Sequence, residues 1–120
     1  MKQSFIKIRT QFEGFHHYPG AGKIDSRISF LENIHRHIFY VEVTMSVNHN
    51  DREIEFFLAK WALEDFLYDA ELDYKSCEMI ADDILENHLF PTYGNKRHYN
   101  ISVSEDNESD GIVTWTGETN

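Results

Sequence analysis

The segment from residue 35 to residue 48 constrains the fold most strongly, because its side chains alternate in character over the length of a long strand. One predicted face begins with two histidines and continues with apolar side chains: His35, His37, Phe39, Val41, Val43, Met45 and Val47. The other predicted face is mixed: Arg36, Ile38, Tyr40, Glu42, Thr44 and Ser46. This pattern is typical of a strand that lies in a sheet with one face against a core.

Three other segments also predict strands. Residues 3–12 alternate in the same way, and so do residues 98–105. Residues 106–111 have the composition of a turn, and residues 112–116 then predict a short last strand. Residues 13–29 contain several glycines and a proline and are predicted to form a long loop, a kind of segment that often carries function.

Two helices are predicted between the second and third strands. Asn50 can cap the first helix, with Glu53 in the reciprocal capping position, and the apolar spacing continues to about Tyr68. The second helix is predicted from about residue 76 to residue 89, before Pro91.

The predicted order of elements is therefore strand, strand, helix, helix, strand, strand, which is an α+β pattern. We expect one domain over residues 1–120, with an antiparallel four-stranded sheet and both helices on one face. Apolar residues remain on the opposite face of such a sheet. We expect this face to be covered by another subunit or by curling of the sheet into a barrel.

The composition argues against several classes of partner. The formal net charge is −10, so the chain repels phosphate backbones and anionic membranes, and general nucleic-acid or membrane binding is not expected. Cys77 is the single cysteine, which excludes an internal disulfide and suits a reducing compartment. No signal peptide or apolar run of transmembrane length is recognised, and we expect a cytoplasmic protein.

The histidines predict a metal site. His35 and His37 are two positions apart on a strand, so both imidazoles project from one face, and a hairpin of the first two strands would bring His16 close to them from the predicted loop. Three imidazoles with one open position are typical of a catalytic or ligand-binding zinc site. His17 is an alternative third ligand, and histidines satisfied by hydrogen bonds in a core are the alternative to any metal. The other histidines are interpreted as surface or helix-end residues: His49, His88 and His98.

Two carboxylates and the thiol are further candidates. Glu105 continues the apolar face of the third strand, where it could accept hydrogen bonds from a guanidine-like edge of a bound molecule or simply reach solvent. Glu78 lies in the first turn of the second helix, where a carboxylate also stabilises the helix dipole. Cys77 has no obvious activating neighbour and is interpreted as a buried or half-buried structural thiol.

Four motifs together resemble the 6-pyruvoyl-tetrahydropterin synthase and 6-carboxy-tetrahydropterin synthase family. Phe12-Glu-Gly-Phe-His16 is similar to that family's Phe-x-x-x-His, and His35-Arg-His37 is similar to its His-Gly-His. Ser76-Cys-Glu-Met-Ile-Ala81 resembles its Thr-x-Glu-Asn-Leu-Ala, and Val103-Ser-Glu105 resembles its Val-x-Glu. The resemblance implies zinc held by the three histidines, a pterin anchored by the last glutamate, and the tunnelling fold. In that fold, sheets of several subunits join into a barrel, usually as trimers stacked into hexamers, with the sites between subunits.

The chain also departs from the family's pattern at the positions that carry catalysis. The family's catalytic cysteine is replaced by Leu31, and its Leu-Asp-His motif is shortened to Leu72-Asp73-Tyr74. Cys77 matches a non-catalytic position. Because a thiol and an imidazole are the groups lost, we expect a protein that binds a pterin, purine or nucleotide without running the standard reaction.

Two alternatives to this expectation stay open. The first is a divergent zinc-dependent synthase or lyase acting on a reduced pterin, in which Tyr18, Tyr40 or Asp73 replaces the missing base. The second is a viral-type protein that sequesters a nucleotide signal. In each case the expected partner besides zinc is a small heterocyclic molecule, and the expected assembly is a homo-oligomer.

Overall fold

A computed structural model describes residues 1–118 and shows an α+β fold with one antiparallel sheet. The strands are β1 (Ser4–His16), β2 (His35–Val47), β3 (Tyr99–Glu105) and β4 (Ser109–Trp115). They lie in the order β1-β2-β3-β4, and every neighbouring pair is antiparallel. The predicted four-stranded antiparallel sheet is therefore confirmed.

The first hairpin is longer than the sequence predicted. β1 and β2 pair without interruption from Ser4 opposite Val47 to His16 opposite His35, so the prediction that His16 lies in a loop was wrong. Gly14 misled the prediction, because it looked like a strand breaker. Its role is close packing, since a Cβ on Gly14 would lie 2.9 Å from the Phe39 ring.

The connection between β1 and β2 contains two short helical segments. Helix α1 (Ala21–Ile24) is followed by a 3-10 helix at Ser26–Glu32, which Asp25 caps by accepting a hydrogen bond from the Arg27 amide. This connection folds back beside the end of the hairpin, where the Tyr18 amide donates to the Leu31 carbonyl oxygen at 2.7 Å.

The first long helix, α2 (Phe56–Tyr68), begins later than predicted. Its cap is Glu55, whose carboxylate accepts a hydrogen bond from the Phe57 amide, and not Asn50. Glu53 is not part of a capping box, because its carboxylate binds Arg97 and the Asn48 amide and so ties the loop to the start of β3.

The second long helix begins where it was predicted to begin and ends later. Ser76 caps α3 (Cys77–Ile84), which continues through a π-helical turn at Leu85–Leu89 into α4 (Phe90–Tyr93). Pro91 does not end the helix, since it lies in the first turn of the last segment, where proline is tolerated and its fixed φ suits the helix. Gly94 ends it with a φ of 85°.

The last hairpin has a tighter turn than predicted. β4 begins at Ser109, not Ile112, because the Glu108 amide donates to the Glu105 carbonyl oxygen at 3.0 Å and closes the turn. Asp106 and Asn107 occupy the centre of this turn with φ values of 53° and 63°. Such positive values are tolerated by Asp and Asn, whose short polar side chains bond locally.

The core lies between one face of the sheet and both long helices, as predicted. The sheet contributes buried residues from three strands: Ile8, Phe39, Val41, Val43, Met45, Tyr99, Ile101 and Val103. The helices contribute the facing residues: Ala59, Leu63, Leu67, Ile80, Ala81 and Ile84. At one end of this apolar layer, the core-facing side chains of β2 are histidines, and the candidate site lies there. No helix within residues 1–118 has the length and apolar character needed to cross a membrane.

Candidate metal centre

Three histidines meet at the end of the β1–β2 hairpin. His16 is directly opposite His35 in the strand register, and His37 follows on the same face of β2. One ring nitrogen from each residue belongs to a set whose members all lie within 4.8 Å of one another. The structure thus brings together the three predicted ligands. His17 is outside this set, and its Nδ1 lies 3.8 Å from an Asp73 carboxylate oxygen.

The hydrogen bonds of the three rings fix which nitrogen is available. The Nδ1 of His16 donates to the Lys75 carbonyl oxygen at 2.8 Å, and the Nδ1 of His35 donates to the Asn33 carbonyl oxygen at 2.8 Å. The Nδ1 of His37 donates to the Asp106 carboxylate at 2.6 Å. Because all three partners are acceptors only, each neutral ring carries its proton on Nδ1 and leaves Nε2 with a lone pair.

The Nε2 atoms have no satisfactory protein partner. Those of His16 and His37 are buried and make no hydrogen bond within residues 1–118. Each nevertheless faces an oxygen of Glu105, at 3.3 Å from His16 and 3.6 Å from His37. A lone pair and a carboxylate repel each other at such distances. Burial lowers the pKa of His16 below its ordinary 6.5, which keeps this ring neutral, so a metal cation between these groups is the arrangement that the donor set fits.

Asp106 is a functional residue that the sequence interpretation missed. Its carboxylate accepts from both the His37 ring and the Ile38 amide, and the hydrogen bond from His37 contributes most to lowering the pKa of Asp106. A carboxylate that orients a ligating imidazole is a common partner of metal sites. The available signal was an acidic residue one position beyond the strand that carries Glu105, but only the left-handed turn conformation directs its side chain to His37.

A cavity of about 690 Å³ opens beside the histidines. Its walls include His16 and His35, and both predicted ligand-binding carboxylates, Glu78 and Glu105, line it together with Asp110. Glu78 reaches the cavity from the first turn of α3 by packing against the backbone of β4, where Gly111 leaves room for it.

Cys77 forms part of the cavity wall as a buried, uncharged thiol. Burial raises the pKa of this thiol to about 12, and the nearby charges of Glu105, Glu78 and Asp110 add to the effect, as does a hydrogen bond to Glu105. The prediction that this thiol is buried is confirmed, and its raised pKa disfavours a nucleophilic thiolate near neutral pH.

Comparison of the chain with protein-family models and with curated proteins gives no match. The resemblance to pterin synthases therefore stays a prediction from four short motifs. What supports a function is the geometry of the histidines and of the cavity beside them.

The residues considered as replacements for the missing catalytic groups lie in different places. Tyr18 and Leu31 line the cavity. Asp73 lies beside His17, which also lines the cavity. Tyr40 projects from the opposite face of the sheet, beside Glu42, because it is at an odd number of positions from Phe39 and the core-facing row. Tyr40 is therefore removed from the candidate bases of this site.

The other histidines agree with expectation only in part, since His98 is half-buried before β3 and its Nδ1 accepts a hydrogen bond from the Gly117 amide. His88 is buried, with 8% of its surface exposed, and stacks on Phe66, so its assignment to the surface was wrong. The π-helical turn is the cause, since it rotates this position towards α2. His49 is exposed, as predicted.

Proposed function

We propose that this protein binds one zinc ion through His16, His35 and His37 and uses the adjoining cavity to bind a small heterocyclic molecule. The observation that carries the proposal is the state of the three rings. Every Nδ1 is held by an acceptor, and the buried Nε2 atoms of His16 and His37 have no hydrogen-bond partner in the described part of the chain. Core histidines without a metal would be expected to use both nitrogens.

Zinc is the metal that we propose because three histidines with one open position are a known arrangement of zinc sites. Such a set suits zinc, and three protein ligands leave a position that another group can occupy. When bound, zinc would polarise a carbonyl or hydroxyl oxygen of a molecule in the cavity. The role of the chain's own residues is to orient the rings through Lys75, Asn33 and Asp106.

The cavity supports a planar heterocycle with adjacent N–H donors, such as a pterin or purine. A volume of about 690 Å³ is within the usual range for sites of small molecules. Glu78 and Glu105 place carboxylates on its wall, and a carboxylate accepts two parallel N–H groups from a guanidine-like edge. The exposed side chains of Tyr18, Tyr74 and Met79 provide apolar surface at the rim for a flat ring.

Binding without the family's standard synthase reaction is favoured by the side chains that line the cavity. Leu31 contributes no titratable group, and Cys77 keeps its proton near neutral pH. A divergent zinc-dependent lyase is the second candidate, and the observation in its favour is the imidazole of His17 beside Asp73 at the same cavity. This pair could move a proton if a substrate came within reach.

A tunnelling-fold assembly is part of the same proposal. β1 and β4 form the two edges of the sheet within residues 1–118, and each has one side available for a strand of another subunit. Joining such edges between copies would close the sheets into a barrel without any remaining edge.

Metal content per chain tests the first part of the proposal. Protein prepared without tag or chelator is expected to contain about one zinc per chain, and a His35→Ala/His37→Ala variant is expected to lose it. A matched control is the His49→Ala/His98→Ala variant, whose imidazoles are outside the centre and which should retain zinc. Wild-type protein without metal after zinc is added back would contradict the proposal.

Binding and turnover are then separated on the zinc-loaded protein. A reduced pterin and guanine are added, and binding is followed by the fluorescence of Trp and ligand, while the products are separated by chromatography. Unchanged ligand after long incubation supports a binding protein, whereas conversion that is lost in His17→Gln supports the lyase.

A further inference from the structure

The carboxylate of Glu105 spans two of the three metal-binding nitrogens. Its Oε1 lies 3.3 Å from the Nε2 of His16, and its Oε2 lies 3.6 Å from the Nε2 of His37. Neither contact is a hydrogen bond, because both rings carry their proton on Nδ1. The carboxylate thus stands within 3.6 Å of two lone pairs, with no proton to share.

These separations agree with those between ligands that share one ion. Zinc bonds to nitrogen and oxygen are about 2.0–2.1 Å long, so two ligands of a tetrahedral ion stand about 3.3 Å apart. A carboxylate that only anchored a heterocycle would have no reason to approach the metal-binding nitrogens so closely. Its closest approach would be expected on the cavity side, towards N–H donors of the bound molecule.

The backbone holds Glu105 in this position. Glu105 is the last residue of β3, opposite Phe39, and its carbonyl oxygen closes the turn by accepting from the Glu108 amide. The next residue, Asp106, donates its amide to the Ile38 carbonyl oxygen at 2.8 Å and orients His37 with its carboxylate. One turn therefore positions both an imidazole ligand and the carboxylate beside it.

The side chain of Glu105 retains the freedom to complete the coordination. This side chain is 38% exposed. The ligand atoms that all lie close to one another come from the three histidines alone and do not include Glu105. Its two oxygens already face two of the three ring nitrogens, so rotation of this side chain towards His35 would complete a four-ligand arrangement. Cys77 lines the same cavity as Glu105.

We propose that Glu105 is the fourth ligand of the metal in the free protein, so that a molecule in the cavity reaches the metal only by displacing this carboxylate. The inference rests on the metal site of the proposed function. In the free protein the ion is closed by three imidazoles and one carboxylate. Glu78 and Asp110 then remain on the cavity wall as acceptors for the N–H groups of an entering heterocycle, and Glu105 joins them once it has left the metal.

Cobalt(II) substitution tests this arrangement, with azide as the probe of an open position. Visible absorption reports the coordination of cobalt, and competition with a chelator gives its affinity. In the wild type, azide is expected to change the spectrum little, because Glu105 occupies its position. In Glu105→Gln, the cobalt affinity is expected to be lower than in the wild type. The affinity for azide is expected to be higher by about tenfold or more.

Glu108→Gln is the matched control, since it removes an exposed carboxylate from the same turn and Glu108 is not among the residues that line the cavity. It should resemble the wild type in both measurements. X-ray absorption of the zinc-loaded wild type gives a second measurement that does not depend on a variant, and four nitrogen or oxygen neighbours with the outer-shell scattering of three imidazoles are expected. Circular dichroism verifies that each variant keeps its fold.

The outcomes separate the two proposals. Equal cobalt affinity and equal azide binding in the wild type and Glu105→Gln would overturn the role of Glu105 and leave the three-histidine site standing. Failure of the wild type to take up cobalt or zinc at all would overturn both. Uptake that is unchanged in His35→Ala/His37→Ala would place the metal elsewhere and would also overturn both.

Discussion

The partners of the three Nδ1 atoms determine how well the metal centre is organised at the scale of single residues. Two of them are backbone carbonyl oxygens, of Lys75 and Asn33, which no side-chain substitution removes. The third is the Asp106 carboxylate, which binds His37 and the Ile38 amide. Asp106 is therefore the position at which the orientation of a ligand can be altered without touching a ligand.

Asp106→Asn is expected to weaken zinc binding about 10–100-fold, as loss of an orienting carboxylate does at other metal sites. The amide keeps the shape of the side chain, but it loses the charge that strengthens the bond from the His37 ring. The zinc affinity is measured by competition with a chromophoric chelator. Glu108→Gln, an exposed acid in the same turn, is the control. An unchanged affinity in Asp106→Asn would mean that His37 needs no such support.

The sequence was sufficient to identify the three histidines but not what holds them. Side-chain alternation on a strand is a local property, so the common face of His35 and His37 follows from their spacing. The carbonyl oxygens of Asn33 and Lys75 belong to irregular segments, whose path depends on tertiary packing. Nothing in the residue type of Asn33 or Lys75 reveals that its backbone will meet an imidazole.

Element boundaries matter for the site because they determine which residues lie opposite each other. β1 had to extend to His16 for that ring to face His35, and the predicted loop would have left its position undefined. The error came from Gly14, whose role as a contact surface for Phe39 is visible only when the partner strand is present. The helical and strand periods, by contrast, were read correctly from local sequence, because burial on one face imposes them.

The start of α3 depends on a glycine in the neighbouring strand. A Cβ at position 111 would lie 2.6 Å from the Glu78 amide nitrogen and 2.5 Å from its carboxylate, so Gly111→Ala forces the helix away from β4. We expect a loss of about 1–3 kcal/mol in the free energy of unfolding, measured by chemical denaturation. Ser109→Ala, at an exposed position of the same strand, should change it by less than about 0.5 kcal/mol. Equal stability of the two variants would show that α3 can shift freely.

The π-helical turn introduces a pH dependence through His88. Burial lowers the pKa of this ring below the 6.5 expected in the unfolded chain. As the pH falls below about 6.5, the unfolded chain takes up a proton that the folded chain resists, so the free energy of unfolding decreases. Above that pH both states are neutral and the stabilisation is fully present.

Denaturation at a series of pH values measures this effect as the difference between the wild type and His88→Phe, which keeps a ring against Phe66. The variant should lose less stability between pH 7.5 and pH 5.5, whereas His49→Phe, at an exposed position, should follow the wild type. Parallel profiles for all three proteins would show that His88 is protonated as easily in the folded state.

The outer face of the sheet is largely polar along the middle of the strands and carries the expected apolar residues nearer their ends. Arg9 lies opposite Glu42 in the strand register and donates to it at 3.0 Å, and Arg36 donates to Glu13. Exposed apolar side chains remain at the ends of the strands, including Phe5 and Phe15. A barrel formed from this sheet would therefore enclose charged side chains and water.

The whole molecule is elongated, which is compatible with the proposed assembly. The radius of gyration is 15.9 Å, whereas about 14 Å is expected for a compact domain of this length, and the long axis measures 51 Å. An elongated chain buries less of its surface, and β1 has 13 residues along one edge of the sheet. Long edges of this kind bind other strands unless they are protected. The proposed assembly would cover this edge with a strand of another copy.

Light scattering after size exclusion is expected to give a multiple of the 14.2 kDa chain mass, with a trimer or hexamer as the form that closes the barrel.

Hydrogen exchange tests directly whether the free edge of β1 is paired with another subunit. In an assembly, the β1 amides that point away from β2 are hydrogen-bonded to another subunit and exchange slowly. In a monomer, these amides face water and exchange within the first time points, while those paired with β2 stay protected. A 14.2 kDa species with fast exchange along the outer side of β1 would contradict the assembly. A heavier species with the same fast exchange would mean that copies associate through another surface, such as the exposed aromatic side chains of α2.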